Sequence, residues 1–180
     1  GIGRATAVEL ARRGARVGVL SRVAGSVAET VAAIEAEGGV AMPLVADVTR
    51  EAELGRAVGA LDGAWGRLDL VVANAGANGV WAALDALTVA EWEQTLRTNL
   101  TGTFLTLRAA LPLLRRRGGA VVVTSSVNGT RNFSNTGATA YATSKAAQVA
   151  RLISFLLTAD ADHITGSELW IDGGESLLIG

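Results

Sequence analysis

Cysteine is absent from all 180 residues, which excludes a disulfide framework and a thiolate zinc site. Histidine occurs once, at His163, so a multi-histidine metal site is excluded too and no metal is expected. A Ser-His-Asp centre would need that imidazole beside a nucleophile elbow, which the chain lacks; a structural role is left for His163. Charge of one sign is also missing. The net charge is −1, so no broad basic field invites nucleic acid. The densest basic run, Arg115-Arg116-Arg117, falls at the end of an expected helix, where cations suit the helix C-terminus. No apolar run reaches membrane-spanning length, and the first residues do not read as a signal peptide. The expectation is a soluble, cytoplasmic protein with neither a membrane nor a nucleic-acid partner.

What is present is apolar and periodic. Hydrophobic residues make up 49% and the mean hydropathy is +0.35, which suits a sheet covered by helices on both faces. Strand-like and helix-like segments alternate, the pattern of a parallel sheet with crossover helices. Strands are expected at Val17 to Leu20, Val40 to Ala46, Leu68 to Ala73, Ala120 to Thr124 and Glu168 to Ile171. Pro43 suggests that the second of these lies at an edge or has its N–H side facing solvent there. Helices are expected between them, one opened by a capping box of Thr88 and Glu91 and ended or kinked by Pro112. Two places look incomplete: no strand precedes the glycine turn at Gly1, and nothing strand-like separates the helix at Tyr141 from the helical stretch at Arg151 to Thr158.

The basic residues carry the sharpest signal. Of 16 lysines and arginines, only Lys145 is a lysine, and Tyr141 is the only tyrosine. They are four residues apart, an offset that random placement gives roughly once in 180 tries. On a helix both project from one face. A free phenol has a pKa of ~10, and a nearby ammonium favours its ionised form. Tyr141 can then exchange a proton with a carbonyl or alcohol oxygen. A compact ammonium does this where the planar fork of arginine would fit poorly. Ser125 and Ser126 end an expected strand, where α/β sites form, and a hydroxyl there can donate to a substrate oxygen.

The remaining candidates suit a dinucleotide. Gly1-Ile2-Gly3 before a helix lets a diphosphate approach the backbone and the helix N-terminus. Asn74-Ala75-Gly76 allows close passage over a strand end, or is a plain turn. Asp47 can accept from an adenine amino group, or cap the next helix. Ser21-Arg22 stands where such folds read the adenosine ribose; a small residue followed by Arg favours the 2′-phosphate of NADP over NAD.

Together these residues resemble the classical short-chain dehydrogenase/reductase family. Gly1-Ile2-Gly3 is similar to the end of its Thr-Gly-x-x-x-Gly-x-Gly motif, and Ala73-Asn74-Ala75-Gly76 to its Asn-Asn-Ala-Gly. Asp47-Val48 resembles the adenine-contacting pair, Asn99 the helix asparagine of the proton relay, Ser126 the catalytic serine, and Tyr141-Ala-Thr-Ser-Lys145 the Tyr-x-x-x-Lys motif. Ile164-Thr165-Gly166 and Asp172-Gly173-Gly174 are similar to the C-terminal signature. The resemblance implies a Rossmann-type doubly wound parallel sheet with helices on both faces, in three layers, forming one catalytic domain over 1-180. It implies NAD(P)-dependent hydride transfer between nicotinamide and a ketone or secondary alcohol. In that reading Ser126 orients the oxygen, Tyr141 is acid/base, Lys145 also holds the nicotinamide ribose and Asn99 completes the relay. It further implies a homotetramer, or a dimer. Three departures stand out. The first strand is absent, the Ser126-to-Tyr141 spacing is longer than usual, and only 19 residues separate Lys145 from Thr165. Residues are therefore expected to be absent near 148-151. A non-enzymatic NAD(P)-binding sensor or scaffold is the alternative, though a pure binder needs neither Ser126 nor Asn99. An epimerase or dehydratase is less well supported, because it needs a substrate domain for which there is no room.

Overall fold

The computed structural model describes residues 1–129 and 136–156, the side chains of 149–156 excepted. Its elements run α1 (Ile2–Arg12), β1 (Arg16–Ser21), α2 (Ala24–Glu35), β2 (Val40–Val45), α3 (Glu51–Trp65), β3 (Leu70–Ala73), α4 (Val89–Leu96), α5 (Gly102–Leu114), β4 (Ala120–Val123) and α6 (Thr139–Leu156). A π-turn, Arg97–Thr101, joins α4 to α5, and a short 3₁₀ turn, Val127–Gly129, follows β4. Both strand pairs are parallel: β1 pairs with β2, setting Val19 opposite Pro43, and β3 pairs with β4, setting Val71 opposite Val121. Among the described residues β2 has β1 as its only partner, so Pro43 lies on an edge strand, as its missing N–H requires.

The alternation along β1 and β2 makes the layers. Val17, Val19 and Ala41 face α1 and α2, where Ala11, Val27 and Ile34 close the packing. Leu20, Met42 and Leu44 face the other way, onto Ala57 and Leu61 of α3. Successive side chains of a strand point to opposite faces, so two apolar faces need two helical layers. Gly18 faces α3; a Cβ there would come 2.9 Å from Leu61 Cδ2 and 3.0 Å from Leu44 Cδ1. On the α3 side, α5 covers β3 and β4 through Leu107, Ala110 and Leu114 against Val71 and Val121. The result is a three-layer α/β sandwich.

Some expectations met a different outcome or lie outside the described residues. Pro112 does not end its helix: α5 continues to Leu114, and the departure from α-geometry lies upstream in the π-turn. A proline this near the C-terminus removes one of the last hydrogen bonds, which α5 tolerates. On the same helix Phe104 is exposed. The helices expected at Tyr141 and Arg151 are one helix, α6, over Thr139–Leu156. The strand at Glu168 to Ile171 lies outside the described residues. The capping box formed as expected: Thr88 Oγ1 accepts from the Glu91 N–H, and Glu91 Oε2 accepts from the Thr88 N–H at 2.9 Å.

Ile34 is 1% exposed between α2, β1 and β2. Ile34→Ala should lower unfolding free energy by about 2–5 kcal/mol, the range for emptying a buried aliphatic site. Urea denaturation followed by circular dichroism measures it.

Candidate active site

The strand ends and the turns after them gather the candidates. One crevice of ≈ 770 Å³ is lined by Gly1, Ile2, Gly3, Ser21, Arg22, Asp47, Val48, Asn74, Ala75 and Gly76. Ten of the twelve dinucleotide candidates therefore line this crevice, Tyr141 and Lys145 being the other two. The crevice continues along β1 and β3, whose facing edges are unpaired among the described residues. Close approach is built in at Gly3, where a Cβ would lie 2.7 Å from Asn74 Nδ2. The backbone at Gly76 is similarly confined: a Cβ there would be 3.3 Å from Asn99 Oδ1 and 3.6 Å from Lys145 Nζ. Asp47 Oδ1 accepts from the N–H and the hydroxyl of Thr49, both at 2.8 Å. These hydrogen bonds, the backbone one first, hold its carboxyl below the usual range, so Asp47 is an anion with a second oxygen to offer. Ser21 Oγ accepts from the Val23 N–H at 3.3 Å. Arg22 forms no ion pair within 4 Å among the described residues.

At the far end α6 presents Tyr141, Ser144 and Lys145. Lys145 is 4% exposed, and its ammonium donates to the Thr124 carbonyl at 2.7 Å. Nζ stands 5.8 Å from the centre of the Tyr141 ring. Burial pushes the ammonium's pKa down from 10.5 to about 8, so it remains mostly charged at neutral pH. Asn99, in the π-turn, is fully buried. Its Oδ1 accepts from the Ala77 N–H at 2.8 Å, and its Nδ2 donates to the Ala77 carbonyl and to Ser144 Oγ, both at 2.9 Å. Ser144 Oγ in turn donates to the Tyr141 carbonyl at 2.7 Å. The asparagine thus ties the loop after β3 to the helix of the Tyr–Lys pair. π-turns inside α-helices are rare and gather at functional sites.

The two serines separate. Ser125 donates its hydroxyl to the Lys145 carbonyl at 3.1 Å, which commits its proton. Ser126 Oγ accepts from the Asn128 N–H at 3.3 Å, which leaves its own O–H to give. The turn carrying Ser126 lies directly on α6, because a Cβ on Gly129 would meet the Lys145 carbonyl carbon at 2.5 Å. Sequence reading missed Thr124, Ser144 and Ala77. Each acts through contacts 20 or more residues away in sequence, which no local pattern announces.

Comparison with known proteins agrees with this geometry. A family model described as short chain dehydrogenase matches residues 1–161. The chain is 43% identical over 163 residues to an uncharacterized NAD-dependent oxidoreductase of Mycobacterium tuberculosis, covering 82% of this chain and 58% of the relative. It is 36% identical over 138 residues to a levodione reductase of Leifsonia aquatica, covering 75% and 52%. Among solved structures, a 3-ketoacyl-ACP reductase from Sinorhizobium meliloti matches with 51% identity and a TM-score of 0.87, covering 91% of this chain and 65% of that one. An NAD⁺-bound xylitol dehydrogenase matches with 28% identity and a TM-score of 0.85, covering 91% and 62%. The fold is therefore Rossmann-like. The chain spans between about half and two thirds of the length of these relatives.

Lys145 gives a signed pH prediction for the free protein. Unfolded, it holds its proton up to 10.5; folded, up to about 8. Between those values the unfolded state binds more protons, so stability gains from this group as pH rises. Relative to Lys145→Met, the wild type should gain roughly 2–3 kcal/mol from pH 8 to pH 10.5. Urea melts of both proteins across that window measure the slope.

Proposed function

The chain belongs to the short chain dehydrogenase family, and from that premise we propose that it transfers hydride between a nicotinamide dinucleotide and a ketone or secondary alcohol. The observation that carries the reading is the convergence of ten dinucleotide candidates on one crevice, with Lys145, Asn99 and Gly76 meeting near its end. The residues fit the cofactor: at Gly3 and Gly76, where a Cβ would press on Asn74 and Asn99, backbone rather than side chain lines the crevice. Gly1 to Gly3 and the start of α1 take the diphosphate, Asp47 and Val48 the adenine, and Asn74 to Gly76 the path toward nicotinamide. When bound, the dinucleotide supplies or accepts the hydride.

The chain's own residues do the rest. Ser126 donates its hydroxyl to the substrate oxygen. Tyr141 gives that oxygen a proton on reduction and takes it back on oxidation. No hydrogen bond occupies the Tyr141 hydroxyl among the described residues. Lys145 sets a positive charge beside the phenol and offers a donor for the nicotinamide ribose. Asn99 holds these parts in register and completes the relay. Trp81 forms one wall of the substrate entrance. It is 46% exposed, and the next residue, Ala82, donates its N–H to the Gly137 carbonyl just ahead of α6.

The finer assignments belong to the same reading. Ser21-Arg22 and the unpaired guanidinium support NADP(H), although the Mycobacterium relative carries NAD-dependence in its name. Phe104, 58% exposed on α5, supports self-association, with a homotetramer as the fullest form. The unpaired edges of β1 and β3 support a further parallel strand between them within one catalytic domain. No helix among the described residues is long and apolar enough to cross a membrane. Cytoplasmic placement follows from the need for a dinucleotide pool.

Two outcomes test the reading. Tyr141→Phe should leave dinucleotide affinity unchanged and lower turnover at least about 100-fold, the scale of a lost acid/base group. A ketone and alcohol panel followed at the nicotinamide absorbance band decides it, and undiminished turnover would remove the acid role. Arg22→Leu should weaken NADPH about tenfold while leaving NADH within about twofold, as loss of a charge-assisted contact to the 2′-phosphate requires. Titration of nicotinamide fluorescence measures both; equal effects would reject the 2′-phosphate.

A further inference from the structure

We propose that Gln148 is a positioning residue that clamps Asn99, and through it the π-turn, to the helix bearing Tyr141 and Lys145; this rests on the hydride-transfer reading above. Tyr141, Ser144, Lys145 and Gln148 fall at helical offsets of 0, 3, 4 and 7, which places them on one face of α6. Ser144, Lys145 and Gln148 are all buried. Gln148 Nε2 donates to the Asn99 carbonyl at 2.7 Å and to Thr103 Oγ1 at 2.9 Å.

The orientation of this amide is fixed by proton counting. The Asn99 carbonyl has no proton, and Thr103 has already given its hydroxyl proton to that carbonyl at 2.7 Å. Both neighbours can only accept, so the amide nitrogen must face them and both its hydrogens are spent. The cost falls on the other end. Gln148 Oε1 is buried and has no hydrogen-bond partner among the described residues. An apolar side chain would fill the same volume without burying an unpaired acceptor. The glutamine is therefore explained by what Nε2 holds rather than by packing.

What it holds is the backbone of the residue whose side chain organises the site. Ser144 grips Asn99 at Nδ2 and Gln148 grips it at the carbonyl, one turn apart on α6. Two attachment points fix both the position and the rotation of Asn99. Its Oδ1 is thereby kept close to Gly76 and to the Lys145 ammonium, at the end of the crevice.

Gln148→Met keeps the volume and removes the donors together with the orphan acceptor. The variant should stay folded, bind NADPH and ketone within about twofold of wild type, and lose about tenfold in kcat, as misplacement without lost binding demands. Amide exchange in residues 97–103 should accelerate about tenfold, with 24–35 unchanged. Thr103→Val, which removes the other acceptor of Nε2, should show the same pattern and serves if Gln148→Met does not fold. Unchanged kcat with unchanged exchange would overturn the clamp, and so would a lowered melting temperature with unchanged kcat. If wild type turns over no ketone or alcohol, the hydride-transfer reading fails on its own. The exchange comparison then still decides whether Gln148 holds the π-turn.

Discussion

A single buried amide, the side chain of Asn99, holds the two halves of the site together. Three hydrogen bonds consume it, two to Ala77 on the loop after β3 and one to Ser144 on α6. The loop carries the backbone over which a dinucleotide would pass, and the helix carries the proton chemistry. The π-turn makes the arrangement possible. By adding a residue within a helical turn, it releases Asn99 from the regular ladder and turns it toward both partners.

That arrangement is what allows a lysine to be buried. Lys145 is nearly inaccessible and has the Thr124 carbonyl as its hydrogen-bond partner, with no carboxylate among the described residues to compensate its charge. Burial of this kind disfavours the charged form and lowers stability at neutral pH. The large apolar layers on both faces of the sheet offset such a cost. A compact ammonium on a flexible stem fits between Thr124, Gly76 and Tyr141; a guanidinium fork, used at every other cationic position, would bring donors with no acceptors to meet them.

Much of this was legible in the sequence. Tyr141 and Lys145 announced themselves because each is the sole residue of its kind, and the crevice residues because glycines and polar groups followed apolar strands. The capping box at Thr88 and the edge position of Pro43 were readable because backbone donors and acceptors have few ways to be satisfied. The π-turn was invisible, since it costs only one residue of phase inside a helical pattern. So were the roles of Thr124, Ser144 and Gln148, which depend on contacts made across the fold. The exposure of Phe104 was not legible, because period alone does not distinguish a face packed within the chain from one left exposed. Ser126 was singled out over Ser125 by resemblance alone; the hydrogen-bond partners add that Ser125 spends its hydroxyl proton on the Lys145 carbonyl while Ser126 keeps its own.

The central claim is that Lys145 is an ammonium held out of water beside Tyr141. Because the chain contains one lysine, labelling lysine with ¹³C at Cε gives a single resonance whose titration belongs to this residue. The account predicts a midpoint of about 8 in the free protein. A midpoint at the ordinary 10.5 would place the ammonium in solvent and contradict it.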